Sequence, residues 1–152
     1  MVEVTLRCDE RDEVPRIAGL TQLVDQFNLT SRRYSEADIA GWMALGYVYS
    51  IHVEGEIEGV VIIECGRVDT FLLSDRILGR GIEYAIWGPI LDTMREIGWK
   101  WIVAQYVSTP RNEIVKDFWR NLGFEPRIGG EWAHWLPTLS IPRPPGITVT
   151  RV

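Results

Sequence analysis

The stretch DRILGRGIE, residues 75–83, stands between a strand-like run and a helix-like run, and it decides which fold the sequence predicts. The preceding run, RVDTFLLS (67–74), is typical of a strand, and the apolar residues after the loop recur at helical spacing. Gly79 and Gly81 allow unusual backbone angles and a close approach to the main chain. Because the first amides of a helix lack internal partners, the loop is a candidate pyrophosphate site, with a ligand-free tight turn as the alternative.

Before the loop, the sequence predicts one strand, two helices and a β-meander. The first helix begins near Pro15 and continues to Phe27, and the second has Ser35 and Asp38 as a capping box and ends near Gly46. The predicted strands are 2–8, 47–53, 58–65 and 67–74, with a hairpin signal at 54–57.

After the loop, one helix is predicted from Ile82 to a stop at Gly98, and Pro89 should kink or loosen its middle. The remaining predicted elements are a strand at 101–107, a helix at 112–122 and β structure at 131–137, with 146–152 as an optional further strand. This order predicts a single domain over residues 1–152 of the α+β class, α/β-like with three layers, with a proline-rich tail from about 141 to 152.

The composition of the 152 residues is that of an ordinary globular protein, with a net charge of −5. The charge argues against nucleic acid as a partner, and no apolar run is long enough to cross a membrane. No signal peptide is recognised, so we expect a cytoplasmic location. Cys8 and Cys65 have no metal-like spacing, and no metal site is predicted. The seven tryptophans indicate large buried surfaces or a pocket for a flat or apolar group.

The order strand, Arg76-x-x-Gly79-x-Gly81, helix, strand, Asn112 and Gly123-Phe124 resembles the GNAT superfamily of acyltransferases. The resemblance implies a twisted mixed sheet flanked by helices, with strands 67–74 and 101–107 parallel neighbours that splay apart towards Ser74. It implies that the loop binds the pyrophosphate of coenzyme A and that a thioester lies at the splay. The cofactor-binding residues that it implies are Arg76, Leu78, Gly79, Arg80, Gly81 and Asn112.

A narrower resemblance extends over residues 16–39, 69–85 and 108–124, which are similar to the C-terminal GNAT-like region of FkbH-type proteins. Those proteins load glyceryl units onto acyl carrier proteins in polyketide pathways. Within it, QFNLTSRRYSEADI (26–39) is a specific match, because the wider superfamily does not share it. The family's phosphatase-like domain has no counterpart in this chain, so we expect the chain to lack the phosphatase half of that reaction.

Three departures from the relatives fall at or near candidate reactive positions. Asp75 stands where FkbH-type relatives carry a cysteine that the resemblance implies as an acyl-thioester site. Trp119 replaces a tyrosine that GNAT enzymes use as a general acid, and an indole cannot supply that proton. Gln105 replaces a glutamate and cannot act as a base. We therefore expect the ancestral transfer reaction to be lost or rebuilt.

The remaining candidates each carry a plainer alternative. The candidate catalytic residues are Tyr106, Asp69 and Asp75. Tyr106 could instead be a core or interface tyrosine, and Asp69 could instead pair with Arg76 or Arg67 rather than act as a base of raised pKa. The candidate pocket residues are Trp119, Trp132 and His52. A histidine in mid-strand is more often structural, and Cys65 is expected to be a small core residue that forms no thioester.

Three functions are compatible with these observations. The first is acyl transfer from a pantetheine-linked group on coenzyme A or on the phosphopantetheine of a carrier protein, in polyketide or antibiotic biosynthesis. The second is a diverged cyclase or isomerase of a polyketide intermediate. The third is a module without chemistry that docks an acyl carrier protein or a polyketide synthase. A small acyl substrate is expected for the first two, and association into a homodimer is left open.

Overall fold

A computed structural model describes residues 1–138, 141 and 143–152 of the chain, and it is built around one twisted sheet of eight strands. The strands are β1 (Val2–Cys8), β2 (Tyr47–Val53), β3 (Glu56–Glu64), β4 (Arg67–Leu73), β5 (Trp101–Gln105), β6 (Glu125–Pro126), β7 (Glu131–Trp135) and β8 (Ile147–Arg151). Their spatial order is β6-β7-β5-β4-β3-β2-β1-β8. The pairs β4–β5 and β1–β8 are parallel and the other neighbours are antiparallel, so the sheet is mixed, as predicted.

Helices cover both faces of the sheet and give the three layers that the sequence predicted. They are α1 (Val14–Leu23), α2 (Glu36–Leu45), α3 (Ile82–Ala85), α4 (Trp87–Ile97) and α5 (Phe118–Leu122). One core lies between α1, α2 and the face of the sheet that carries Val60 and Ile62. The other lies under α3, α4 and α5 and contains Val61 and Phe71. Successive residues of β3 therefore point into different cores, which explains why this strand is apolar along most of its length.

Several local predictions are confirmed. The Ser35 side chain accepts a hydrogen bond from the Asp38 amide, and Asp38 accepts one from the Ser35 amide, as the predicted capping box requires. The turn between β2 and β3 consists of Glu54 and Gly55, both with positive φ, which is the tight hairpin that the sequence indicated. Gly98 ends α4 in the left-handed conformation.

The helix predicted from Ile82 to Gly98 is divided in two at Ile86. Pro89 explains the break, because it has no amide to donate to the carbonyl of Ala85 and its ring collides with that carbonyl. The helix predicted at 112–122 is a single 3-10 turn, Glu113–Val115, followed by the short α5. The break places the Phe118 ring against those of Phe27 and Phe71, at centroid distances of 5.6 Å and 5.2 Å.

The prediction that the first helix reaches Phe27 is wrong, because α1 ends at Leu23. Val24 and Phe27 are buried, as their apolar spacing suggested, but in an irregular segment that follows the helix. Cys65 is also misplaced by the sequence analysis, since it lies exposed on the β3–β4 turn and not in the core. Within the predicted proline-rich tail, residues 147–151 form β8 beside β1. Residue 142 of the tail, and residues 139 and 140 before it, lie outside the described residues.

Among the helices of the described residues, none combines the length and the apolar character that crossing a membrane requires.

Candidate active site

Strands β4 and β5 are parallel neighbours that separate almost at once, and this separation forms the centre of the candidate site. Their register contains one pair, Arg67 with Val103. On the other side of β4, the register with β3 jumps so that Ile62 opposes Thr70 while Ile63 opposes Val68. Asp69 is thus the extra residue of a β-bulge, and a bulge bends its strand. The predicted splay towards Ser74 is present, and the bulge at Asp69 accounts for it.

Residues 27–30 lie inside this splay and bond to both of its strands. The Leu29 amide donates to the Phe71 carbonyl at 3.1 Å, and the Leu73 amide donates to the Phe27 carbonyl at 3.0 Å. On the opposite side, the Val107 amide donates to the Leu29 carbonyl at 2.8 Å. Asn28 forms an antiparallel bridge with Leu72. The segment therefore lies between β4, to which it forms one antiparallel bridge, and the residues that follow β5.

The predicted site residues Asn112 and Tyr106 meet beside this segment. The Asn112 side-chain amide donates to the carbonyls of Asn28 and Val107, at 2.9 Å in each case. Its oxygen accepts from the Thr109 amide at 2.8 Å and from the Tyr106 hydroxyl at 3.2 Å. Asn112 is fully buried, and these four bonds use its two donors and its acceptor oxygen. In this conformation Asn112 holds the protein's own segment.

The glycine loop follows β4, as predicted, and consists of a 3-10 turn and two left-handed glycines. Ser74 caps the turn Asp75–Ile77 by accepting from the Arg76 amide at 3.3 Å. Gly79 and Gly81 have φ of +75° and +84°, which explains the residue type at both positions. Within the described part of the chain, the amides of Gly79, Arg80 and Gly81 donate to no protein acceptor. Asp75 is exposed, and Leu78 is half-buried against the core.

The guanidinium groups of the loop are engaged with carboxylates of the meander. Arg76 forms a two-pronged ion pair with Glu58, whose side chain is 3% exposed, through its Nη2 atom and through Nε at 3.2 Å. Burial alone would raise the pKa of Glu58, but hydrogen bonds from Arg76 and Ser74 and the charge of Arg76 together lower it. Arg80 pairs with the more exposed Glu54 at 2.8 Å. The loop's positive charge is therefore largely neutralised within the protein.

Sequence reasoning did not identify Glu58. Its signal in the sequence is a carboxylate two residues into β3, next to an otherwise apolar run. The predicted partner of Arg76 or Arg67 was Asp69. In the structure, Asp69 pairs with Arg32 at 3.0 Å, and Arg67 pairs with Glu131.

No protein-family model matches the chain, and no curated protein matches it. Solved structures do. The chain is similar to the ribosomal-protein-S18-alanine N-acetyltransferase of Escherichia coli, at 13% identity and a TM-score of 0.68, over 90% of this chain and 96% of that one. It is similar to YncA of Salmonella typhimurium, solved with its cofactor acetyl-CoA, at 13% identity and a TM-score of 0.63, over 91% and 97% of the two chains.

A third similar structure is an acetyltransferase of the GNAT family from Desulfovibrio desulfuricans, at 11% identity and a TM-score of 0.66. The match covers 88% of this chain and 99% of that one. The chain has the GNAT fold. Because these identities are low, the likeness establishes the architecture alone, and the site has to be assessed from its own residues.

A small cavity of the GNAT fold opens beside the glycine loop. Its volume is about 210 Å³, and its walls come from Phe27, Gly79, Glu83, Asp117 and Phe118, among others. Small-molecule sites commonly occupy about 300–1,000 Å³, so the cavity holds only part of a large ligand. One carboxylate oxygen of Glu83 is buried there without a hydrogen-bond partner among the described residues. Phe27, from the segment inside the splay, contributes to the wall.

This geometry fits one half of coenzyme A and not the other. The amides of Gly79, Arg80 and Gly81 have no acceptor in the part of the chain that the structure describes and could bind a pyrophosphate, and a Cβ atom at Gly79 would meet nothing within 4 Å. Glu83 and Asp117 are unfavourable neighbours for phosphate, so this anion site is confined to the loop amides. The pantetheine arm does not fit between β4 and β5 while residues 27–30 occupy the splay.

Asp69 is the centre of a polar network at the bulge in β4. Its carboxylate accepts from the Tyr34 hydroxyl at 2.6 Å and from Thr70 at 2.7 Å, in addition to Arg32. Arg32 also donates to the Gln105 side chain at 2.7 Å and so bridges β4 and β5 across the splay. Burial raises the pKa of Tyr34 to about 12, and the hydrogen bond to Asp69 and its negative charge add to this effect. The network gives Asp69 a structural function whether or not it acts as a base.

The three predicted pocket residues lie in different places. Trp119 is fully buried, packs on Trp87 at 5.2 Å and donates its indole N–H to the Gln105 carbonyl at 3.2 Å. Trp132, on β7, lies under the guanidinium of Arg120 at 5.1 Å. His52, four strands away on β2, borders a separate cavity of about 580 Å³ and contacts Glu13 at 2.9 Å. The structure does not bring His52 together with the two tryptophans.

The described residues contain no group of three or more histidine, cysteine, aspartate or glutamate side chains arranged to hold a metal ion.

Proposed function

We propose that this GNAT-fold chain binds coenzyme A, or the phosphopantetheine of a carrier protein, at its glycine loop and acts on the acyl group that the pantetheine carries. The observation that supports the proposal is the loop itself. Among the described residues, three consecutive amides, at Gly79, Arg80 and Gly81, donate to no protein acceptor, and they follow the strand that splays from its neighbour. The thioester would supply an activated acyl group for transfer to an acceptor, and it could enter the splay only when residues 27–30 leave it.

The chain's own residues would contribute little more than positioning and one proton. The Tyr106 hydroxyl lies beyond the end of β5, half-buried, with its proton directed at the Asn112 side-chain oxygen. It is the best-placed ionisable group for exchanging a proton at the inner end of the splay. Asp75 lies exposed on the loop, and Asp69 is bonded by Arg32, Tyr34 and Thr70, so both are weaker candidates. The pathway context, polyketide or antibiotic biosynthesis, is supported by the FkbH-type resemblance of residues 26–39 alone.

A second candidate function is the cyclase or isomerase, which needs no pantetheine between the strands. It is favoured by the filled splay and by Asp75 and Trp119, which replace the nucleophile and the acid of the relatives. A carrier-docking module without chemistry is a third candidate, but Arg76 and Arg80 are already paired with Glu58 and Glu54, which weakens their attraction for an acidic partner.

Calorimetric titration with coenzyme A tests the proposal, with Gly79→Val as the diagnostic variant and Gly98→Val as its control. Both glycines have positive φ, +75° and +113°, and open space around a Cβ atom, so both substitutions strain the backbone without creating a clash. Only Gly79 lies on the loop. We expect Gly79→Val to abolish binding and Gly98→Val to preserve it. Equal binding by both variants, or none by the wild type, would contradict the proposal.

The enzymatic part of the proposal requires turnover. Incubation of acyl-CoA, or of an acyl-loaded carrier protein, with the chain and a panel of amine and hydroxyl acceptors should release free thiol. Tyr106→Phe keeps the ring and removes the hydroxyl, and we expect it to lower the turnover number while leaving binding unchanged. Thiol release that is identical in wild type and Tyr106→Phe would rule out a role for this hydroxyl in proton transfer.

A further inference from the structure

We infer that residues Phe27–Thr30, here called the inserted segment, occupy the place between β4 and β5 that a pantetheine arm would need, and that the segment and pantetheine exclude each other. The inference rests on the proposed function for the identity of the ligand. The observation that carries it is independent of any ligand: the splay in the sheet is filled by the chain itself.

Hydrogen bonds to both edges of the splay support the inference. When two strands separate, the amides and carbonyls on their facing edges lose their partners and can accept an extended group that carries amides. Here the edge of β4 offers the Phe71 carbonyl and the Leu73 amide, and the inserted segment bonds to both. On the other edge, the Val107 amide is bonded to Leu29. Pantetheine, which contains two amide groups, would have to bond to these same main-chain atoms.

The burial of the inserted segment also supports the inference. Phe27 is 7% exposed, Asn28 0% and Leu29 1%, so the segment lies within the protein and not on its surface. The Phe27 ring packs edge-on against Phe71 at 5.3 Å and also lines the cavity beside Gly79. A ligand that entered from the loop along β4 would meet this ring first. The segment therefore closes the route from the loop to the splay as well as the splay itself.

The inserted segment is also anchored near both of its ends. Near its start, the Asn112 side chain holds the Asn28 carbonyl. At its end, the Thr30 hydroxyl donates to the Asp69 carbonyl at 2.9 Å, and Arg32 links Asp69 to Gln105. Because separate elements hold it, the segment will leave the splay rarely, and pantetheine will see only that small open fraction. The inserted segment lies within the stretch 26–39 of the sequence.

Amide hydrogen exchange tests the filled splay without any ligand. We expect the amides of Leu29, Leu73 and Val107 to be strongly protected and to exchange at similar rates, since one opening would expose all three. Phe27→Ala should accelerate all three together. Phe124→Ala is the matched control, because Phe124 is also a buried phenylalanine, 3% exposed, but packs on Trp119 and His134. Rapid exchange of Leu29 in the wild type would overturn the inference, whatever the chain binds.

Titrations test the exclusion of pantetheine. The two ligands are coenzyme A and 3′-phospho-ADP, below called phospho-ADP, which is the nucleotide half of coenzyme A without the pantetheine. In the wild type we expect equal affinities for both, because the arm gains no site. In Phe27→Ala we expect coenzyme A to bind about tenfold more tightly than phospho-ADP, because the open fraction rises. Phe124→Ala should bind both equally, like the wild type.

The outcomes separate the two proposals. Absence of binding by either ligand, with Leu29 protected, would contradict the proposed function and leave the inserted segment established. Binding of coenzyme A by the wild type at least about tenfold more tightly than phospho-ADP, with Leu29 still protected, would overturn the exclusion, because the arm would then have found a site elsewhere. A ligand preference that Phe27→Ala does not change would overturn it equally.

Discussion

The side-chain amide of Asn112 donates a hydrogen bond of 2.9 Å to the main-chain carbonyl of Asn28, 84 residues earlier in the chain. This bond joins the turn after β5 to the segment that fills the splay. Asn112, which was predicted to bind a cofactor, therefore helps to hold residues 27–30 inside the splay. The assignment to a cofactor stays a prediction, and it requires that Asn112 exchange a protein carbonyl for a ligand.

Replacing Asn112 by alanine should destabilise the protein strongly. The carbonyls of Asn28 and Val107 would lose a donor in a buried position, and each unsatisfied buried group costs about 1–3 kcal/mol. We expect a loss of roughly 2–4 kcal/mol in the free energy of unfolding, measured with urea. The control is Asn121→Ala, which removes an exposed amide with a long contact of 3.4 Å to Tyr84. It should change stability by less than about 0.5 kcal/mol.

Arg76→Gln should destabilise the protein more than Arg80→Gln. Both substitutions remove an arginine of the loop, but the partner of Arg76 is the buried Glu58, whereas Glu54 is exposed and well solvated. Because the pKa of Glu58 is lowered in the folded protein, its contribution to stability is present at neutral pH and is lost as the pH falls. The difference between wild type and Arg76→Gln should therefore shrink below about pH 4. A pH-independent difference in urea denaturation would contradict this account.

Only one of the two thiols should react under mild conditions. Cys65 is exposed on the β3–β4 turn. Burial raises the pKa of Cys8 from 9.0 to about 12, and the negative charge of Asp9 adds to the effect. Iodoacetamide at about pH 8 should add one group to the wild type and none to Cys65→Ala, as read by intact mass. Rapid labelling of Cys8 in the folded Cys65→Ala variant would contradict the raised pKa of this half-buried thiol.

Cys65 also lies at the opposite end of β4 from the glycine loop. The strand Arg67–Leu73 separates them, about 20 Å at the usual rise per residue. A thioester on Cys65 would therefore be remote from the splay, and Cys65→Ala should keep full activity. A stable acyl adduct that disappears in this variant would return the chain to covalent acyl-transfer chemistry.

The sequence allowed the loop and the layers to be predicted because local rules determine them. Gly79 and Gly81 have left-handed angles that few other residues adopt, and the Ser35–Asp38 capping box is a local pattern. The crossover helix between β4 and β5 made their parallel pairing predictable. The splay itself came from resemblance, since no local rule signals a bulge at Asp69.

The inserted segment could not be predicted, because its apolar spacing imitates a helix. Val24 and Phe27 continue the pattern of α1 at the right intervals, yet they are buried by contacts with distant strands. The carbonyl of Phe27 bonds to Leu73, 46 residues later, and such a partner has no signature in the local sequence. Glu58 was missed for the same reason, since its partner Arg76 is known only from the fold.

Asp69→Asn should change the titration of Tyr34, and this tests the structural function of Asp69. Burial and the Asp69 carboxylate raise the pKa of Tyr34 to about 12 in the folded protein. Without the carboxylate's charge, that pKa should fall back towards the ordinary value of about 10. Tyrosinate absorbance, followed against pH in the wild type, Asp69→Asn and Tyr34→Phe, isolates this residue. An unchanged Tyr34 titration in Asp69→Asn would show that the 2.6 Å bond contributes little.

Asp69→Asn should also change how the free energy of unfolding depends on pH. A raised pKa of Tyr34 in the folded state means that its contribution is complete below about pH 10 and is lost as the pH rises towards 12. The loss over this interval should be smaller in Asp69→Asn than in the wild type. At neutral pH, Asp69→Asn should lower the free energy of unfolding by about 1–2 kcal/mol, because Arg32 loses its charged partner at the splay. If Asp69 is also a general base, the variant will abolish thiol release in addition to changing the Tyr34 titration and the stability.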